Sequence, residues 1–201
     1  MYAIKDVLGI SAVLLTFVSY IPYFRSIIKG KTKPHIYSWF VWLIDSLIIF
    51  SLQITHGGGA GSFMALAAAV MCLVVLVLSF RSKGKRDIKI IDTVFLTVAF
   101  ASLAIWLVVR QPVVSAMLIT TVDLFGFAPT IRKSWNKPHS ETAVFYGLNI
   151  LRFVLALAAL QEYTVVTVLY PGVWFIANVL FTLMLLIRRS QIQVRESNKL
   201  G

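Results

Sequence analysis

Three charged side chains fall in the middle of long apolar runs: Asp45, Asp123 and Arg152. In hydrocarbon each such charge costs about 2.5–3.5 kcal/mol on insertion scales, so each must face the interior of a bundle and find a partner there. A carboxylate and a guanidinium so placed suit one of two jobs. They can form a salt bridge that fixes helix packing, or they can bracket a small polar solute. A buried carboxylate can also take up and release a proton, which makes Asp123 and Asp45 the candidates for proton coupling. Aromatic and polar residues accompany the charges at helical spacing. Trp39 and Trp42 precede Asp45 at steps of three, and Tyr146 and Asn149 precede Arg152 at the same steps, so each set lies near one helix face. Trp174 and Asn178 stand four apart on the last run. A few convergent polar groups among aromatics is the pattern of a small-molecule site. Asp45, Arg152, Asn149, Trp42, Trp39, Tyr146, Trp174 and Asn178 form the expected substrate-binding set. An enzyme is not expected. The sequence has no G-x-S-x-G, H-E-x-x-H or Walker pattern and no paired carboxylates, and His35, His56 and His139 make no metal constellation. Neither a cofactor nor a metal is expected.

The elements that position these residues are membrane-spanning helices. The chain is 59% hydrophobic and only 13% charged, with a mean hydropathy of +0.85, whereas a soluble domain is about half apolar and about a quarter charged. Crossing the hydrocarbon core takes roughly 20 apolar residues. Seven runs qualify, over 7–28, 36–54, 62–80, 90–109, 112–131, 142–161 and 165–187. The first reads as a retained helix and not a cleaved signal, because it has no A-x-A site. Lone Cys72 can form no internal disulfide. Basic residues alternate across the connections. Sixteen of the 19 lie at or beyond the C-terminal ends of the first, third, fifth and seventh runs, which puts all sixteen on one side of the bilayer. By the positive-inside rule that side is cytoplasmic, with the N-terminus outside and the C-terminus inside. The net charge of +11 is thus accounted for by juxtamembrane loops, and nucleic acid is not an expected partner.

An offset of 107 residues relates Pro22-x-x-Arg25 to Pro129-x-x-Arg132, and Arg81 to Arg188. The first three spans therefore repeat as the last three. One crossing helix between them gives both triplets the same orientation, a parallel repeat about an axis along the membrane normal. The expected fold class is all-α: a polytopic membrane protein of seven transmembrane helices, built as two parallel three-helix bundles joined by a linker helix. The expected divisions are 1–86, a linker helix over 87–110, 111–190, and a cytoplasmic tail over 191–201. Asp45 and Arg152 occupy the same slot of the repeat, so pseudo-symmetry sets them across the central axis at one depth, where they are expected to pair. Pro22 and Pro129, each lacking a backbone N–H within its helix, are the expected hinges.

The stretches Ser19-Tyr20-Ile21-Pro22-Tyr23-Phe24-Arg25 and Gly126-Phe127-Ala128-Pro129-Thr130-Ile131-Arg132 resemble the two motifs of the PQ-loop/SWEET transporter superfamily. Tyr23 and Thr130 stand where its glutamine would be. The resemblance implies a secondary transporter or facilitator for a small polar solute, sugar or amino acid, working by alternating access at a midplane site. It also implies that an aspartate placed like Asp45 carries protons, and that Trp174 and Asn178 hold substrate. The alternative is a non-transporting membrane receptor or scaffold on the same plan. The partners expected are the lipid bilayer, the solute and protons.

Overall fold

The computed structural model describes residues 2–29, 36–81, 111–141 and 143–200, together with positions 90, 93, 94, 97, 100, 101, 104, 105 and 108. Six α-helices run over Tyr2–Ile28 (α1), Ile36–Thr55 (α2), Phe63–Arg81 (α3), Pro112–Asn136 (α4), Ala143–Ala159 (α5) and Val165–Leu200 (α6). Short 3-10 turns cover Gly59–Ser62 and Pro138–Ser140. The positions described between 90 and 108 are helical, and Phe100 meets Phe40 of α2 with ring centroids 6.3 Å apart. The rest of the expected linker helix, and the basic stretches at 30–35 and 82–89, lie outside the described residues. Among the described residues there is no strand.

Each helix satisfies its own backbone, as hydrocarbon demands. Three buried hydroxyls bond back one turn: Thr16 to the Ala12 carbonyl at 2.8 Å, Ser79 to Val75 at 2.7 Å and Thr120 to Ala116 at 2.7 Å. Among the described residues, three helical stretches are long and apolar enough to cross a membrane: Ala3–Ile28, Gly59–Phe80 and Val165–Gln193. Trp39–Thr55, Pro112–Phe127 and Ala143–Ala159 are shorter apolar helices. The polarity is inverted relative to a water-soluble protein. Ile4, Val7, Ile10, Leu14, Leu180 and Leu186 face outward, whereas Asp45, Gln53, Asp123, Asn149, Arg152 and Asn178 are buried. Such a molecule is membrane-embedded.

The packing order is the same in both triplets. The third helix lies against the other two: α3 against α1 and α2, and α6 against α4 and α5. Between triplets the contacts are reciprocal, α1 with α5 and α2 with α4, and the first seam is far more extensive than the second. The starts of α2 and α5 are 107 residues apart, matching the repeat offset. Pro22 sits within unbroken α1 and Pro129 within unbroken α4. Buried Pro171, which sequence reading did not single out, sits within α6. The last helix also runs on to Leu200, past the expected membrane boundary at 187. Arg188 anchors it by donating to the Trp135 carbonyl at 3.0 Å, and Arg189 by donating to the Glu141 carbonyl at 2.6 Å.

The end of the bundle bearing the glycine turn is closed by backbone contact between the two triplets. The Glu162 amide donates to the Gly57 carbonyl at 2.8 Å, and Lys5 Nζ donates to the Leu160 carbonyl at 2.6 Å. A side chain on Gly61 would begin 2.6 Å from the Ala156 carbonyl oxygen, and one on Gly9 would begin 2.7 Å from that of Ala60. Only hydrogen at these two positions permits the approach. Gly61→Leu is expected to destabilise by about 1–3 kcal/mol through overpacking, read as a lower thermal midpoint in detergent. Gly147→Ala meets nothing within 4 Å and is expected to hold or raise that midpoint through helix propensity.

Candidate solute-binding site

A cavity of about 190 Å³ runs from the middle of the bundle toward the end where α1 finishes and α5 begins. All six helices line it. α1 gives Tyr20 and Tyr23; α2 gives Trp39, Trp42 and Ser46; α3 gives Ala68 and Cys72. Asp123, Phe127 and Thr130 come from α4, Phe145, Tyr146, Asn149, Arg152 and Phe153 from α5, and Tyr170, Trp174 and Asn178 from α6, with Glu141 at the rim. Helical periodicity explains the α5 wall, since Tyr146, Asn149, Arg152, Phe153 and Ala156 are its buried stripe.

Aromatic rings brace the half nearest the rim. Tyr23 and Trp39 lie 5.2 Å apart, Trp39 and Trp42 meet edge to face at 5.0 Å, and Tyr20 meets Phe145 edge to face at 5.8 Å. On the facing side Phe127 contacts Trp174 at 5.4 Å, and Tyr146 contacts Phe181 at 4.4 Å. Ring pairs of this kind are worth about 0.5–1.5 kcal/mol beyond the area they bury, so the wall is stiff. The Tyr146 hydroxyl donates to Glu141 Oε2 at 3.3 Å. Asn178 donates from Nδ2 to the Trp174 carbonyl at 2.6 Å, one turn back on its own helix.

Deeper in, polar atoms converge without protein partners. Arg152 Nε and Nη1, Trp174 Nε1, Asp123 Oδ1 and Asn149 Oδ1 make no hydrogen bond within the protein, while the Trp174 indole and the Tyr170 phenol face the Asp123 carboxyl. The Arg152 guanidinium lies 4.7 Å from the centroid of the Phe153 ring and faces the Tyr20 hydroxyl. A buried donor or acceptor left empty costs about 1–3 kcal/mol, more when it is charged. Five such atoms of both kinds on one cavity wall make a site for a small solute, or for water, that carries acceptors and donors together.

Of the residues expected from sequence, Arg152, Asn149, Trp42, Trp39, Tyr146, Trp174, Asn178 and Asp123 share this wall. Asp45 does not. It is fully buried behind the wall, and neither of its oxygens has a hydrogen-bond partner. The expected Asp45–Arg152 pair is not formed. The reason is the turn of α2: Ser46, not Asp45, points to the cavity, and Asp45 points into the α2–α4 seam. There its carboxyl group meets that of Asp123. The flanking layers fix this register, with Val41 on Val122 to one side and Ile48 and Ile49 on Ile119 to the other. The sequence expectation of no paired carboxylates is corrected by the same contact.

Sequence reading missed Tyr20, Tyr23, Ser46, Phe127, Thr130 and Phe153. The signal that could have found them is the repeat itself. The offset of 107 relates Tyr20 to Phe127, Tyr23 to Thr130 and Ser46 to Phe153, as it relates Trp39 to Tyr146 and Trp42 to Asn149, and every one of these lines the cavity. Among the described residues no cluster of histidine, cysteine and acidic side chains suits a metal. Comparison with protein-family models, with curated proteins and with solved structures found no match to this chain. A double-mutant cycle separates the two arrangements. Asp45→Asn with Asp123→Asn is expected to show a coupling of about 0.5–3 kcal/mol in thermal stability. Asp45→Asn with Arg152→Gln is expected to be close to additive.

Proposed function

We propose that the chain is a seven-span secondary transporter or facilitator of a small polar solute, related in plan to the PQ-loop/SWEET superfamily. The solute sits between two three-helix units and passes by rocking of one unit against the other. The basic loops face the cytoplasm in this reading. The observation that carries it is the set of unpartnered donors and acceptors on Arg152, Trp174, Asp123 and Asn149, gathered in one cavity that all six helices share. Because these atoms have no partner in the protein and face one cavity, a solute that enters it can supply their hydrogen bonds.

Two further features support it. The wall is pseudo-symmetric, so a rocking motion about the axis between the units carries matched residues past the same solute. The bundle is also sealed at the glycine-turn end, where Lys5 and Glu162 bind across the two triplets, while the cavity runs to the other end. That is the form of a carrier accessible from one side. The solute is small, since the cavity volume lies below the roughly 300–1,000 Å³ of drug-sized sites. It carries at least one acceptor for Arg152 and one donor for Asp123 or Asn149.

Purified protein in liposomes, screened for uptake across radiolabelled sugars and amino acids, tests the proposal. Saturable uptake of at least one solute is expected, falling roughly 100-fold in Arg152→Leu, consistent with about 3 kcal/mol for a lost charged hydrogen bond. No uptake of any solute by folded, inserted protein, or equal uptake by the variant, removes it.

A further inference from the structure

Asp45 and Asp123 are both buried, and their carboxyl groups meet across the thinner of the two seams between the triplets. Among the described residues no lysine or arginine side chain pairs with them: neither oxygen of Asp45 and not Oδ1 of Asp123 has a hydrogen-bond partner in the protein. Asp123 opens on the cavity and Asp45 stands behind it. Two carboxylates at contact in a medium of low dielectric cannot both stay ionised without a counter-ion. A second observation points the same way. Arg152 is buried, its Nε and Nη1 face the same cavity, and it is paired with neither acid. The buried charges of the site are thus one guanidinium and two carboxyls. With one proton in the acid pair the three sum to zero; with two the cavity is left at +1, and with none at −1.

We propose that Asp45 and Asp123 form one proton-holding site, and that its occupancy sets the charge a solute meets at Arg152. The proton reaches Asp123 from the cavity and is shared with Asp45, bridging oxygen to oxygen across the seam. A second proton leaves the Arg152 charge uncompensated and ready for the acceptor group of a solute. Release of that proton returns one negative charge to the acid pair beside Arg152 and weakens the hold on the solute. The other titratable groups turned toward the pair are the Tyr170 phenol from α6 and the Cys72 thiol from α3, with Tyr20 of α1 beside Arg152. In water all three titrate above neutrality, so none competes with the acids for the proton. The coupling to solute rests on the carrier reading above, but the proton site itself does not.

Infrared difference spectra of the full chain in lipid films, recorded between about pH 5 and about pH 8, read the site without any solute. One carboxylic C=O band is expected to titrate, and Asp45→Asn and Asp123→Asn are each expected to abolish the whole of it, while Glu141→Gln leaves it. If either variant fails to fold, the other reads the same band. Loss of only part of the band in each variant, or no loss in either, overturns the shared site. The second arm is liposome uptake of the sugar and amino-acid panel under an inward acid gradient. With one proton per solute, accumulation of roughly tenfold per pH unit is expected. Asp45→Asn is expected to retain downhill uptake with no accumulation, and accumulation unchanged in that variant overturns the coupling. A shared band without uptake of any solute overturns the carrier reading alone, and uptake without a shared band overturns the proton site alone.

Discussion

The guanidinium of Arg152 lies inside an apolar bundle with Nε and Nη1 bonded to nothing in the protein. A charge so placed must be solvated by something, and the surrounding structure supplies it piecemeal. The Phe153 ring lies beside it, the Tyr20 hydroxyl faces it, and Asn149 stands one turn away on the same helix face. The aromatic rings packed edge to face around the rim keep the cavity from collapsing onto this group.

The two seams between the triplets divide the remaining work. Along α1 and α5 the contact is long and ends in the glycine turn, where Gly61 lets backbone approach backbone across the halves and Gly9 lets α1 pack on that turn. Along α2 and α4 the contact is short and holds the two acids at its centre. One seam is therefore close-packed and indifferent to protonation. The other is thin and contains the pair whose mutual repulsion depends on a proton.

The helices were legible because hydrocarbon enforces long apolar runs. α2 begins at Ile36 and α4 at Pro112, as expected, and the polarity of the exterior follows from composition. Helical spacing grouped Arg152 with Asn149 and Tyr146, and Trp39 with Trp42, and these side chains line one cavity because residues three and four apart share a helix face. The repeat offset misled at Asp45. Equivalence in the repeat sets a depth, but the direction of a single side chain depends on helix rotation, and a shift from Asp45 to Ser46 swaps cavity for seam. The contact with Asp123 was illegible for a related reason. It joins helices from different triplets at positions the offset does not relate, Asp123 corresponding to Thr16. The extension of α6 beyond residue 187 was missed because hydropathy marks where lipid ends and not where a helix does. There Arg188 bonds a carbonyl in the last turn of α4 and Arg189 one in the α4–α5 connection, which ties the extension to the bundle.

Tryptophan fluorescence reads the central claim directly, that Arg152 and its unpartnered neighbours await a solute. Trp39, Trp42 and Trp174 line the cavity. In detergent-solubilised protein titrated with small polar solutes, a saturable change in emission is expected for at least one of them, and it is expected to vanish in folded Arg152→Leu. An emission that no solute alters, or one that changes equally in the variant, contradicts the account.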